Sequence, residues 1–209
     1  LKRFIKKILR NRLISKTTLL VSRLLPTSLR AKICALAYDP GRMKPNRPFE
    51  RGAYPEGVNL FGYLKAQMGL GQGARLMASA IEHSGLPHTL INVSAGNPAR
   101  QGETEFDGRL SKAPLYNTNI VHINPEQILL LRHLYPRRAW DRRYNIAIWL
   151  WELEEFPSEW APRFQYFDEI WTPSTFTTQS IAKSTALPVT TIPYGVQAEA
   201  DARMDRSYF

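Results

Sequence analysis

Residues 57–84 read GVNLFGYLKAQMGLGQGARLMASAIEHS. An apolar run, VNLFGY (58–63), leads through a short turn to Gly69, Gly71 and Gly73, and then into an amphipathic stretch. The spacing predicts a buried strand over 58–63 and a helix over 72–84 whose core face carries Leu76, Met77, Ala80 and Ile81. Glycine has no Cβ, so the loop between them can bring its backbone close to a ligand. A helix start offers unpaired N–H groups and the positive end of its dipole, which suits a phosphate or another anion. The same glycines also serve tight packing of helix on strand. The loop alone leaves both readings open.

Gly69-x-Gly71-x-x-Ala74 nominally matches the dinucleotide fingerprint. Two features oppose a nicotinamide enzyme. Leu64 to Met68 intervene between the strand and the first glycine, and the second strand region, HTLINVSAGN (88–97), has no acid to hold a ribose.

Downstream, strand and helix signals alternate. Strands are predicted over 88–94, 119–124, 144–151, 169–174 and 188–195. Helices are predicted over 125–139, in part of 158–167 with Ser158 as N-cap, and over 175–184. Residues 96–114 are polar and irregular. The alternation predicts an α/β fold, a doubly wound, mostly parallel Rossmann-like sheet that binds ligands at the carboxyl ends of its strands. Asp168, near a strand start, reads as structural.

The formal charge of +10 is unevenly spread. Residues 1–47 hold thirteen Lys and Arg against one acid, Asp39; residues 48–209 hold 15 basic and 17 acidic residues. No basic stripe runs through the body, which argues against nucleic acid as a partner. LKRFIKKILRN (1–11) sets Leu1, Phe4, Ile5, Ile8 and Leu9 on one helical face and Lys and Arg on the other. A second apolar patch stops at Pro26, and a further short helix is predicted over 28–37. Residues 1–25 therefore fit an anionic membrane surface, or a face of the body or of a partner. The single cysteine, Cys34, excludes an internal disulfide. The organisation expected is a basic helical extension and linker over 1–47, a Rossmann-like domain over 48–196, and a polar tail over 197–209.

Three strand ends carry residues with chemistry. The glycine loop is one. VHINPEQ (121–127) sets His122 and Asn124 at a second. WLWELEEFP (149–157) ends a third, with Trp149 and Trp151 on the strand and Glu152, Glu154 and Glu155 after it. Trp149 and Trp151 alternate with Leu150, so both rings should share a face. Indole rings beside carboxylates can hold a sugar by stacking and hydroxyl hydrogen bonds. Two core tryptophans followed by a solvated acidic helix start would read the same way. No nucleophile elbow, metal-spaced His/Cys set or Walker loop is present.

NLFGYLKAQMGLGQGAR, NIVHINPEQ, IAIWLWELEEFPSEW, FDEIWTPSTFTTQSI and LPVTTIPYGV, taken in order, resemble bacterial family 4 (group 1) glycosyltransferases. The chain from about 57 to 196 looks like the N-terminal Rossmann-like half of a GT-B enzyme. The resemblance implies a retaining, metal-independent transfer of sugar from a nucleotide-sugar donor to a saccharide or lipid-linked acceptor in polysaccharide biosynthesis. It implies no cofactor. Gly69, Leu70, Gly71 and Gly73 would face the donor phosphates and sugar; His122, Asn124 and Glu152 would be catalytic; Trp149, Trp151 and Glu154 would bind acceptor. Many relatives carry H-x-H where this chain has His122-x-Asn124. The implied location is cytoplasmic, peripheral at the inner membrane face. The donor-gripping second domain would follow residue 209, and the chain without it would not turn over. The rival reading is a non-catalytic module that binds a glycan or a partner.

Overall fold

The computed structural model describes residues 44–94 and 96–195. The chain divides into two compact units, Leu1–Pro45 and Asn46–Phe209. Of the first unit only Lys44 and Pro45 are described, so the helices expected over 1–11 and 28–37 and the membrane contact of 1–25 lie outside the described residues, as does the tail 197–209. The body begins slightly before the expected boundary at 48: Asn46 Nδ2 donates to the Tyr166 carbonyl at 2.8 Å and the Arg47 N–H to Asp141 Oδ1 at 2.9 Å.

Six strands form one sheet: β1 (Val58–Gly62), β2 (His88–Asn92), β3 (Thr118–His122), β4 (Tyr144–Ile148), β5 (Glu169–Thr172) and β6 (Val189–Thr191). Their order is β2-β1-β3-β4-β5-β6, and every pair is parallel. Three α-helices connect them: α1 (Gly69–His83), α2 (Ile128–Leu134) and α3 (Thr175–Ala182). Parallel strands need such crossovers, and the crossovers cover the sheet faces. On one face Ala74, Ala78 and Ile81 of α1 pack with Leu60, Leu90, Ile120 and Ile146. On the other, Phe61 stacks on Trp140 at 5.1 Å and meets the edge of Tyr135, the C-cap of α2, at 5.2 Å. The fold is α/β, Rossmann-like and doubly wound. No helix among the described residues is long and apolar enough to cross a membrane.

β1, β3 and β4 are buried along four of their five residues, which explains their continuous apolar runs. One polar rung interrupts them. Thr89, Asn59, Asn119 and Asn145 occupy the second position of β2, β1, β3 and β4 and are paired in register. Thr89 Oγ1 donates to Asn59 Oδ1 at 2.8 Å, Asn59 Nδ2 to Asn119 Oδ1 at 2.9 Å, and Asn119 Nδ2 to Asn145 Oδ1 at 2.8 Å. Asn145 Nδ2 ends the series on the Arg143 and Trp140 carbonyls. At the same edge, the Asn145 N–H donates to Asp168 Oδ2 at 2.7 Å. Asp168 is thus a tie between strand starts, at the opposite end of the sheet from the functional edge.

Several boundaries differ from expectation. α1 starts at Gly69, so the glycine loop is the first turn of the helix. The helix expected over 125–139 is a 3₁₀ turn, Pro125–Gln127, followed by α2; Tyr135 is extended before Pro136, where the chain breaks as X-Pro geometry requires. Ser158 is the first residue of a 3₁₀ segment, Ser158–Tyr166, and Pro157 is its cap. Ser174 caps α3, its Oγ accepting from the Thr177 N–H at 3.2 Å.

Candidate functional site

The strand order reverses between β1 and β3, since β2 lies on one side of β1 and all later strands on the other. Doubly wound sheets bind ligands at the carboxyl ends of the strands at this point. Gly62 and His122 are the register-paired last residues there. The N-terminus of α1 opens beside them. The Gln72 N–H makes the first helical bond, to the Met68 carbonyl, and Met68 supplies no side-chain cap. The N–H groups of Gly69, Leu70 and Gly71 carry no acceptor among the described residues. The first turn holds no acid.

The glycines have different reasons to be glycine. A Cβ on Gly71 would sit 2.2 Å from the Ala66 carbonyl oxygen and 2.9 Å from that of Tyr63. A Cβ on Gly73 would sit 2.9 Å from both His122 Nε2 and the Tyr194 hydroxyl. A Cβ on Gly69 would meet nothing within 4 Å. Packing therefore explains Gly71 and Gly73, and only Gly69 faces open space. Arg75, 7% exposed, fixes the turn before the helix: Nη1 donates to the Leu64 and Ala66 carbonyls at 3.2 and 3.0 Å, and Nη2 to Gln72 Oε1 at 2.9 Å. Arg75 makes no ion pair among the described residues, so its charge adds to the positive potential at the helix start.

His122 is 0% exposed. Its Nε2 lies 2.5 Å from the Tyr194 hydroxyl, and Nδ1 has no hydrogen bond among the described residues. Tyr194 follows β6 and closes over the switch point from the far side of the sheet. Burial pushes the His122 pKa down to about 4, with its own backbone carbonyl opposing, and pushes Tyr194 up to about 12. Both groups are uncharged at neutral pH. Nearby Tyr63 is pushed up to about 12 by burial and by the Glu126 carboxylate, and burial also raises Glu126.

A folded pKa near 4 against an unfolded 6.5 means that the unfolded chain binds more protons between those values. Stability from neutral His122 is complete above pH 6.5, falls as pH drops toward 4, and is flat below. The total is roughly 3 kcal/mol. Urea midpoints at pH 7, 5.5 and 4 are expected to fall more steeply for the native chain than for His122→Gln. Equal slopes would show that His122 titrates normally.

Asn124 does not reach this cluster through its carbonyl: Asn124 Oδ1 accepts from the Leu150 N–H at 3.1 Å, tying the end of β3 to the segment after β4. Trp149 corrects an expectation. It is 0% exposed, stacked on Phe156 at 5.6 Å and 8° and packed against Phe164 and Phe167, so its ring offers no face to an acceptor. Trp151 shares Phe156 but stays partly exposed, edge-on to Trp160 at 5.1 Å, with its Nε1 donating to the Glu155 carbonyl at 2.7 Å. Trp151 and Glu152 line a cleft of about 300 Å³ with Leu150, Pro173, Ser174, Phe176 and Thr177. Glu154 is exposed and outside that lining. The structure thus gathers Gly69, Leu70, Gly71, Gly73 and His122 at one position on the carboxyl edge, and Trp151 and Glu152 at a second.

Sequence reasoning assigned no role to Arg75 or Tyr194. Arg75 stands inside the quoted glycine segment, and its buried position had no local signal. Tyr194 lies 72 residues from His122 in the chain.

Compared with known proteins, the chain matches no family model and no curated protein.

Proposed function

We propose that this body is the acceptor-side half of a retaining glycosyltransferase, with the diphosphate of a nucleotide-sugar donor lying against the amides of Gly69, Leu70 and Gly71. The observation that carries this reading is three acceptor-free N–H groups beside a buried, neutral histidine at the topological switch point. The sequence resemblance supplies the reaction.

In that reaction the bond from the anomeric carbon to the donor phosphate oxygen breaks. A bond from the same carbon to the acceptor hydroxyl oxygen forms, and the hydroxyl proton ends on the departing phosphate. Negative charge grows on the diphosphate. Fixed backbone N–H groups and the nearby Arg75 charge stabilise it with little reorganisation. A sugar hydroxyl that bonds to His122 Nε2 takes the place of the Tyr194 hydroxyl. The basic, amphipathic sequence of residues 1–25 supports an acceptor presented at an anionic membrane surface on the cytoplasmic side.

The test is a titration of the ¹⁵N-labelled chain with UDP-, GDP- and ADP-sugars to about 10 mM, a range that captures binding weaker than millimolar. The Gly69, Leu70 and Gly71 amide signals are expected to shift with at least one of them. No shift at these amides with any nucleotide would overturn the reading.

A further inference from the structure

We propose that the cleft between the ends of β4 and β5 is a subsite for one neutral pyranose unit. Its walls are Trp151 and Phe176, and its hydroxyl acceptor is Glu152. It would hold the acceptor's terminal sugar, an assignment that rests on the glycosyl-transfer reading, although the subsite itself stands on its own geometry.

The cleft lies at the carboxyl edge, built by Leu150 to Glu152 after β4 and by Pro173 to Thr177 across the start of α3. Its volume of about 300 Å³ is at the small end of ligand clefts, the size for a single ring and not for a nucleotide. Most polar groups in the lining are already engaged. Ser174 Oγ accepts from the Thr177 N–H, and Thr177 Oγ1 donates to the Trp151 carbonyl at 3.0 Å. That second bond ties the two walls together. The Trp151 ring is set by three contacts: the edge of Trp160, the edge of Phe156 and its own N–H on the Glu155 carbonyl. A ring held this way loses little freedom when a ligand packs on it. Phe176 is 48% exposed although it is large and apolar. Two aromatic side chains and a carboxylate without a hydrogen-bond or ion-pair partner among the described residues, in one lining, match a pyranose, which has apolar C–H faces and equatorial hydroxyl donors.

Charge narrows the class further. Glu152, Glu154 and Glu155 follow Trp151 within four residues, and none of them makes an ion pair among the described residues. An anionic sugar would meet like charge at this lip, where no glutamate is paired with a cation among the described residues. This charge favours a neutral sugar over a uronic acid or a phosphorylated ring.

The test follows the Trp151 indole N–H signal in the ¹⁵N-labelled full chain, identified by its loss in Trp151→Phe. The probes are methyl glucopyranoside, galactopyranoside and mannopyranoside, each anomer, to about 100 mM, with methyl glucuronide beside them. At least one neutral glycoside is expected to shift the signal, and the glucuronide is not. Phe176→Ala and Glu152→Gln alter exposed side chains and leave the fold intact. Each is expected to weaken the neutral glycoside at least about fivefold. Failure of every neutral glycoside, equal binding of the glucuronide, or unchanged affinity in both variants would overturn the proposal. The amides of Gly69 to Gly71 report on nucleotide in the same spectra. Loss of the nucleotide response alone would fell the transfer reading and leave this subsite standing.

Discussion

Asn59→Leu is expected to destabilise the body by roughly 4 kcal/mol, a large part of the 5–15 kcal/mol that holds a typical domain. Leucine has the branching and heavy-atom count of asparagine and favours burial, so the cost is not a cavity. It comes from the partners left behind. Asn59 Oδ1 accepts from Thr89 Oγ1 and from the N–H groups of Leu115 and Tyr116, at 2.8, 2.8 and 2.9 Å. Asn59 Nδ2 donates to Asn119 Oδ1 and to the Tyr116 and Thr118 carbonyls. Each buried donor or acceptor without a partner costs about 1–3 kcal/mol, and Thr89 Oγ1 and Asn119 Oδ1 are stranded in the buried row, with the part-buried N–H groups of Leu115 and Tyr116 beside them. The two fully buried groups at the middle of that range reach the stated loss. Asn145→Leu strands fewer groups and is expected to cost about half as much; Thr89→Val removes one donor and costs about 1 kcal/mol. Urea denaturation with an unchanged slope measures the series. An Asn59→Leu variant within about 0.5 kcal/mol of the native chain would mean that the rung contributes nothing.

The second large effect separates two glycines that look alike in the sequence. Gly71→Ala is expected to cost about 3 kcal/mol, the upper part of the range for an overpacked site. The added methyl would lie far inside contact distance of two backbone carbonyl oxygens, one of which, that of Ala66, is also held by Arg75. Neither oxygen is the free end of a side chain, so relief requires moving the turn or the helix. Gly69→Ala meets no atom within 4 Å and removes a residue with poor helix propensity. It is expected to leave stability unchanged or to raise it by up to about 1 kcal/mol. Its effect would appear in the nucleotide titration, where a methyl now stands at the open start of the helix. Thermal melts of the two variants decide the matter. If both alanines cost the same, the packing account of Gly71 is wrong.

This contrast also shows where the sequence stopped being readable. The apolar runs of β1, β3 and β4 announced themselves because both sheet faces are covered. The start of α1 did not. Gly-Leu-Gly favours a loop by propensity, and only the fit of Gly71 against residues 63–66 and the Arg75 clamp carry the helix back to Gly69. Trp149 and Trp151 were indistinguishable by pattern. Phe164 and Phe167, well along the chain, help seal one, while the other remains at the surface. His122 stood out at a strand end, but its partner arrives from beyond β6, where no local motif marks it. The asparagines were visible as a repeated second position in VNLFG, TNIVH and YNIAI, yet nothing in any one strand says that they touch.

Strands that are greasy on both faces have an ambiguity that one-sided strands lack. Sliding β3 along β1 by one or two residues would still bury Ile, Val and Leu against helices on either side, so hydrophobic burial ranks the shifted sheets close to the true one. The row of side-chain amides breaks that near-degeneracy. A slip of β3 one way would set Ile120 or Val121 opposite Asn59, and a slip the other way Thr118 or Asn117; in either case the bond from Asn59 to Asn119 is lost and the row is cut. The observed alignment is the one that joins all four polar residues in a single row, and it sets Gly62 beside His122 at the other end of the sheet.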